Sequence, residues 1–254
     1  AGLRADFSNR DEDALLPLFS LALEKPVAAG VNRVSLEYSR SSQLPGYTAL
    51  NSRPEGLFGG NPDLGREFAD TVTLGFAHES ARWHLRAALF QRRDDDLVDW
   101  TFLAGAPFLR QANAVDLDVT GFEVFAGWHT PDLSLVGGFT WLDKDADYGG
   151  ADVDASYYAL NYARQRLTLA LTYRLSDRVE FRWDNEYRRQ QDNPLRSSSR
   201  EAYLSSLSLA WRFPGHVDWR VLLVADNLTD SDFQEFPGTP AMGRQVSLGA
   251  GLDW

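Results

Sequence analysis

The chain has no cysteine. Disulfides, thiolate nucleophiles and thiolate metal sites are therefore excluded. Basic residues are scarce beside acidic ones, 25 against 36, and the net charge is -11. That balance argues against nucleic acid as a partner. No run of 18 apolar residues exists, so no helix of this chain is long and apolar enough to cross a bilayer. A membrane is not thereby excluded, because a barrel strand needs only about 9–11 residues with every second one apolar. The only methionine is Met242, residue 1 is Ala, and no charged-then-apolar leader is visible. The expectation is a processed chain or a piece of a longer one. Phosphate loops, zinc motifs and nucleophile elbows are missing too. There is no convincing helical period and no domain boundary, so residues 1–254 read as one domain.

What is present is alternation. In 243–254, Val246, Leu248, Ala250, Leu252 and Trp254 alternate with small or polar residues. That is the period of a strand, and it ends on an aromatic. The same reading gives about twelve strands: 2–9, 14–24, 31–40, 70–79, 82–92, 117–129, 133–142, 164–175, 178–190, 202–213, 216–226 and the last. Strand 178–190 says most. Val179, Phe181, Trp183 and Tyr187 share one face, and Arg178, Glu180, Arg182, Asp184, Glu186 and Arg188 share the other. Six charges on one face cannot enter a dry core, because burying unpaired charge costs too much. They require water, as in a wide lumen where opposite signs pair.

The connections alternate in length. Those at 80–82, 130–132, 175–178 and 213–216 are short; those at 41–69, 93–116, 143–163, 191–201 and 227–242 are long. Short turns at one end and long loops at the other are the pattern of an antiparallel up-and-down transmembrane β-barrel of the outer membrane. A passive twelve-stranded porin or autotransporter-type barrel satisfies the same pattern. A soluble β-sandwich does not account for the charged strand face.

Four segments, in order, carry a family resemblance. RVSLEYSRSSQLPGYTALNS leads through a long loop to GNPDLGREFADTVTLGF. WHLRAALFQRRDDDLVDW follows, and VADNLTDSDFQEFPGTPAMGRQVSLGAGLDW closes the chain. Over roughly residues 15–254 the chain resembles the C-terminal half of the barrel of a TonB-dependent outer-membrane receptor. The resemblance implies these are the last twelve strands of a 22-stranded barrel in a Gram-negative outer membrane. It implies a plug domain with a TonB coupling box outside this stretch, and no enzymatic activity. It implies binding of a ferric siderophore, cobalamin or similar bulky solute by extracellular loops. Trp254 then ends the strand that the barrel-assembly machinery reads, where Phe is more usual.

Candidate site residues follow from the loops. Asp94, Asp95, Asp96 and Asp99 with Trp100 form an acidic, aromatic patch that could touch substrate, as could Tyr148 and Tyr157. Tyr157, Tyr158 and Tyr162 also suit an interfacial aromatic belt. Asp143, Asp145, Asp147 and Asp154 fall at positions 1, 3, 5 and 12 of an EF-hand-like calcium loop. Tyr148 stands where such a loop requires glycine. The plainer reading of all these acids is a solvated loop. His78, His84, His129 and His216 fall near short turns and read as polar rim residues. His78 and Ser80 share a strand face, as in outer-membrane phospholipases, but the sequence reveals no third group to orient the histidine.

Overall fold

The computed structural model describes residues 1–53, 56–215 and 218–253. One antiparallel sheet dominates. Its strands are β1 (Gly2–Asp6), β2 (Ala14–Val27), β3 (Gly30–Gln43), β5 (Glu67–Glu79), β6 (Trp83–Phe102), β7 (Arg110–His129), β8 (Leu133–Asp147), β10 (Ala163–Ser176), β11 (Val179–Gln190), β12 (Glu201–Phe213), β13 (Asp218–Asp226) and β14 (Gln245–Asp253). Each pairs with its neighbours in this sequence, so these twelve form a simple up-and-down meander. Two-residue strands β4 (Phe58–Gly59) and β9 (Ala155–Ser156) join off this path, and a five-residue helix α1 (Tyr47–Asn51) lies in the β3–β5 loop. That helix is a small departure from the all-strand expectation. The sheet is open: among the described residues β1 and β14 do not pair with each other. A single continuous sheet rules out the two stacked sheets of a sandwich.

Register fixes which side chains share a face. Leu21, Leu36, Leu74 and Leu89 follow one another across β2, β3, β5 and β6. Phe122, Phe139 and Leu167 continue the row through β7, β8 and β10 as cross-strand partners or near neighbours on the same face. On β13 and β14, Leu223 meets Leu248 and Val221 meets Ala250, so the alternation expected for the last strand is realised. Trp254 lies outside the described residues. These side chains are exposed despite being apolar: Leu74 49%, Leu167 50% and Leu248 76%. A continuous exposed apolar face, one residue in two, is what a lipid-facing wall requires. Aromatics cluster toward the short-turn end of that face. Trp83 packs on Trp128 with centroids 6.1 Å apart, and Trp211 stacks on Phe213 at 5.1 Å. They form the girdle expected where a barrel meets the interface.

The opposite face is polar or small. On β11 its charges pair, as the sequence required. Arg182 donates to both carboxylate oxygens of Asp184, at 2.6 and 2.9 Å. Glu186 accepts from Arg166 on β10 at 2.8 Å and from Arg188 on its own strand.

Two of the tight turns share one device. Ser80 Oγ accepts from the Trp83 amide at 3.0 Å, and Thr130 Oγ1 accepts from the Leu133 amide at 3.1 Å. Between β2 and β3 the turn needs glycine: Gly30 has φ +151°, and a Cβ there would lie 2.1 Å from the Glu79 carbonyl oxygen.

The long-loop end differs from the sequence expectation. β6 and β7 run far past their neighbours, so the stretch read as a loop at 93–116 is mostly strand, closed by residues 103–109. A bulge between Asp94 and Leu97 interrupts this hairpin, with Asp96 at φ 57°. Beyond it the free edges are taken by loops. β4, from the β3–β5 loop, pairs with β7; β9, from the β8–β10 loop, pairs with β6. Each loop thus reaches the farther strand of the hairpin. Twist accumulated along a two-stranded ribbon, increased by a bulge, accounts for that exchange of sides.

The two faces of β5 should respond oppositely to charge. Leu74→Arg should cost about 2–4 kcal/mol of folding stability in liposomes, and Thr73→Arg close to nothing. Urea unfolding of the two variants measures the difference; equal costs would contradict the assignment of faces.

Candidate functional site

The buried core sits at the long-loop end, not between membrane-level strands. Val115, Leu117, Ala155, Tyr157, Ala159 and Tyr162 are all under 9% exposed. At their centre is Asp99, fully buried at 0%. Its carboxylate accepts from the Tyr148 hydroxyl at 2.7 Å and from the Tyr158 and Ala159 amides, each at 3.2 Å. A buried carboxylate survives only with such partners. Burial, and then the Asp99 charge beside it, push the Tyr148 hydroxyl far above the ordinary tyrosine range. Lys144 enters the same layer. Its ammonium donates to the Ala159 carbonyl at 3.0 Å and lies 4.7 Å from the Tyr162 ring centroid. Burial pulls the Lys144 pKa below the usual lysine value, against the nearby charges of Asp94 and Asp99.

Three loops interlock at the long-loop end. Asn193 on the β11–β12 loop donates to the Ser156 carbonyl at 2.7 Å. Arg196 donates to Asn161 Oδ1 at 2.5 Å and to the Gln234 carbonyl of the β13–β14 loop. Phe233 is held between Arg188 at 4.7 Å and Arg196 at 5.6 Å. Beneath them opens a cavity of about 240 Å³ lined by Asn161, Tyr162, Arg166, Arg188, Gln190, Glu235 and Phe236. Gln190 is 5% exposed, and its Oε1 has no hydrogen-bond partner among the described residues. At the mouth Tyr158 and Phe236 make an edge-to-face pair, centroids 6.0 Å apart, and stay exposed at 49% and 45%. Guanidiniums, an unpaired amide oxygen and two open aromatic rings offer charge, a hydrogen bond and stacking to a solute.

Most sequence-selected residues lie elsewhere. Asp94 is buried and paired with Arg92 at 2.5 Å. Asp95 pairs with Arg93 at 3.0 Å, and Asp96 is the turned residue of the bulge. Trp100 packs edge-to-face on Phe58 at 5.2 Å. Tyr148 is tied to Asp99, and Tyr157 is 6% exposed under the Arg110 guanidinium at 4.3 Å. These residues build the hairpin and hold the loops on it. Tyr157 and Tyr162 are core residues rather than an interfacial belt; Tyr158 alone of the three is open. The missed residues are Arg166, Arg188, Gln190 and Phe236. The strand face of the first three was readable, but only the fold returns residues 227–244, with Phe236, over them.

The acids of the calcium-like spacing lie mostly on a strand. Asp143, Asp145 and Asp147 lie along β8, on the face that continues the lipid-facing row, opposite Thr120, Asp118 and Asp116. A strand repeats at i, i+2, i+4, which is also the spacing at which an EF-hand loop places its first acids. Asp143 pairs with Arg164 at 2.6 Å, and Asp154 accepts from the Ala104 amide at 2.8 Å. Among the described residues no three His, Asp or Glu side chains are placed to hold a metal ion.

The hydrolase pattern is half assembled. Asn32 Oδ1 lies 2.6 Å from His78 Nδ1, the orienting contact that the sequence hid. But Ser80 is spent in its turn, donating to the Trp83 carbonyl at 3.2 Å and accepting from the Trp83 amide. No hydrogen bond joins it to His78 among the described residues. His216 lies outside the described residues.

Loop retention should depend on Asp99. Asp99→Ala should lower stability by about 2–4 kcal/mol and expose residues 148–162 to protease, because it strands three donors. Tyr148→Phe should cost about 1–2 kcal/mol and leave the cleavage pattern near wild type. Unfolding curves and limited proteolysis read both; intact loops in Asp99→Ala would remove its anchoring role.

No curated protein matches the chain by sequence. Solved structures share its fold. The FrpB iron transporter of Neisseria meningitidis (F5-1 variant) has a TM-score of 0.69 at 20% identity, over 94% of this chain and 39% of that one. The ferric-catecholate import receptor Fiu of E. coli K12 has 0.66 at 19%, over 94% and 35%. The siderophore receptor PirA of Pseudomonas aeruginosa has 0.65 at 17%, over 99% and 42%. The chain therefore spans about two fifths of the length of such structures. The family model described as TonB dependent receptor-like, beta-barrel matches residues 1–228, and the chain belongs to that family.

Proposed function

We propose that this chain is the greater part of the wall of an outer-membrane import receptor that takes a bulky metal chelate from its long-loop end. The observation that carries the reading is the cavity under the interlocked loops. It combines Arg166 and Arg188 with the open rings of Tyr158 and Phe236. Ring-bearing chelates with oxygen acceptors suit that chemistry: Arg166 and Arg188 share Glu186 and keep further N–H donors for ligand oxygens, and aromatic rings receive flat apolar surface. FrpB, named an iron transporter, and PirA, named a siderophore receptor, support the solute class by likeness of fold. Energy coupling through TonB belongs to the same proposal, as does recognition of the last strand by the assembly machinery. A receptor of this kind is a transporter with no chemical step.

The paired charges of β11 fit passage rather than capture. Lower on that strand Arg182 already has the Asp184 carboxylate, so a charged solute meets a balanced wall below the cavity.

Binding of iron-55 complexes of a catecholate and of a hydroxamate chelator to cells carrying the receptor tests this. Saturable binding of one complex is expected. It should weaken at least tenfold in Tyr158→Ala/Phe236→Ala, a loss of about 1.4 kcal/mol or more. Uptake should stop without TonB. Non-saturable, TonB-independent entry of both complexes would instead establish a passive pore.

A further inference from the structure

Three neighbouring strands bring Glu79, His84 and His129 together at the short-turn end of the polar face. His84 stands opposite Gly127 in the β6–β7 register, in line with the Arg86–Phe125 and Ala88–Glu123 pairs of the same face. His129 is two residues further along β7 and so shares that face. Glu79 Oε2 lies 2.9 Å from His84 Nδ1, and Glu79 Oε1 accepts from Arg86 at 3.2 Å. An ionised carboxylate can only accept, so it holds the ring proton on Nδ1 and leaves Nε2 with its lone pair. That Nε2 lies 3.2 Å from His129 Nδ1. The ring planes are 12° apart, with centroids at 5.0 Å. Gly127 keeps the space open: a Cβ there would come within 3.1 Å of His84 Cδ2. The His84 side chain remains 39% exposed, so water and ions reach it.

We infer that His84 Nε2 and His129 Nδ1 form a two-imidazole site for a borderline divalent ion of the zinc, copper(II) or nickel class. Two nitrogens on one tetrahedral ion, each about 2.0–2.1 Å from it, stand roughly 3.3 Å apart, close to the spacing already present. Glu79 completes the carboxylate–histidine arrangement that fixes the ring of a ligating histidine. Occupancy requires both rings to turn so that their lone pairs converge. His129 must carry its proton on Nε2 instead of Nδ1, and a neutral pair releases none. No third His, Asp or Glu joins them among the described residues, so the remaining positions fall to water. Such a site exchanges its ion readily. It stands at the opposite end of the lumen from the solute cavity, and it does not depend on which solute that cavity takes.

Titration of copper(II) into the detergent-purified protein, followed by electron paramagnetic resonance, tests the site. One equivalent with two-nitrogen coordination is expected. His84→Ala and His129→Ala should each weaken binding at least tenfold, and Glu79→Gln by about 10-fold or more. His78→Ala, whose ring points to the other face, should bind as wild type. Circular dichroism of each variant verifies folding, and Glu79→Gln keeps both imidazoles should either alanine variant fail to fold. Wild-type affinity in folded His84→Ala or folded Glu79→Gln overturns the proposal. So does a wild-type protein whose two histidines titrate together but take up no copper, which would make the pair a proton-sharing contact only.

Discussion

Hydrocarbon offers no partner to a backbone amide, and the rest of this structure depends on that. A strand in lipid must be flanked on both sides. The meander meets this demand in the cheapest order, each strand pairing with its chain neighbours from β1 to β14. Side chains are then free to serve two solvents, with Leu36, Leu74 and Leu89 on one face and Glu37, Thr73 and Phe90 on the other. The outer edges of β1 and β14 carry the same obligation. A sheet of this kind becomes a barrel only when both edges are paired, so the described sheet is a partial barrel wall.

Because the membrane-level wall has no dry interior, ordinary packing is displaced to the long-loop end. There the chain behaves as a soluble protein does. Small residues such as Ala112, Ala155 and Ala159 let loops approach the hairpin closely, and Asp99 ties them down through three donors. The hairpin of β6 and β7 is the scaffold for both crossing loops. Its bulge and twist, rather than loop sequence alone, decide where β4 and β9 dock. The cavity built on such a frame is positioned by strands even though its rings come from loops.

The architecture was legible in the sequence wherever one physical demand acted on every second residue. The twelve strands of the path, the charged face of β11 and the final alternation of Val246, Leu248 and Ala250 follow from lipid on one side and water on the other. Legibility failed above the membrane, where that demand ends. Asp94 to Trp100 carry no lipid-facing alternation, so strand and loop looked alike, and the hairpin extension was read as a loop. The cavity under the loops was illegible for a different reason. Arg166 and Arg188 were visible as polar-face residues, but Phe236 reaches them from 70 and 48 positions away along the chain. Only tertiary closure of residues 227–244 makes that set.

The acids of β8 show how one spacing can arise from two causes. A calcium loop places carboxylates at alternate positions so that a turning backbone aims them inward at one ion. A strand places them at alternate positions so that they share a face, spaced along a nearly straight line and diverging from any common centre. Asp143, Asp145 and Asp147 follow the second rule, with Asp116 and Asp118 beside them on β7. The histidines make the converse point. His84 and His129 are 45 residues apart and carry no motif, yet a diagonal cross-strand step and a glycine bring their nitrogens to 3.2 Å. Convergence is a property of the sheet's register, and it is register that separates a row of like residues from a site.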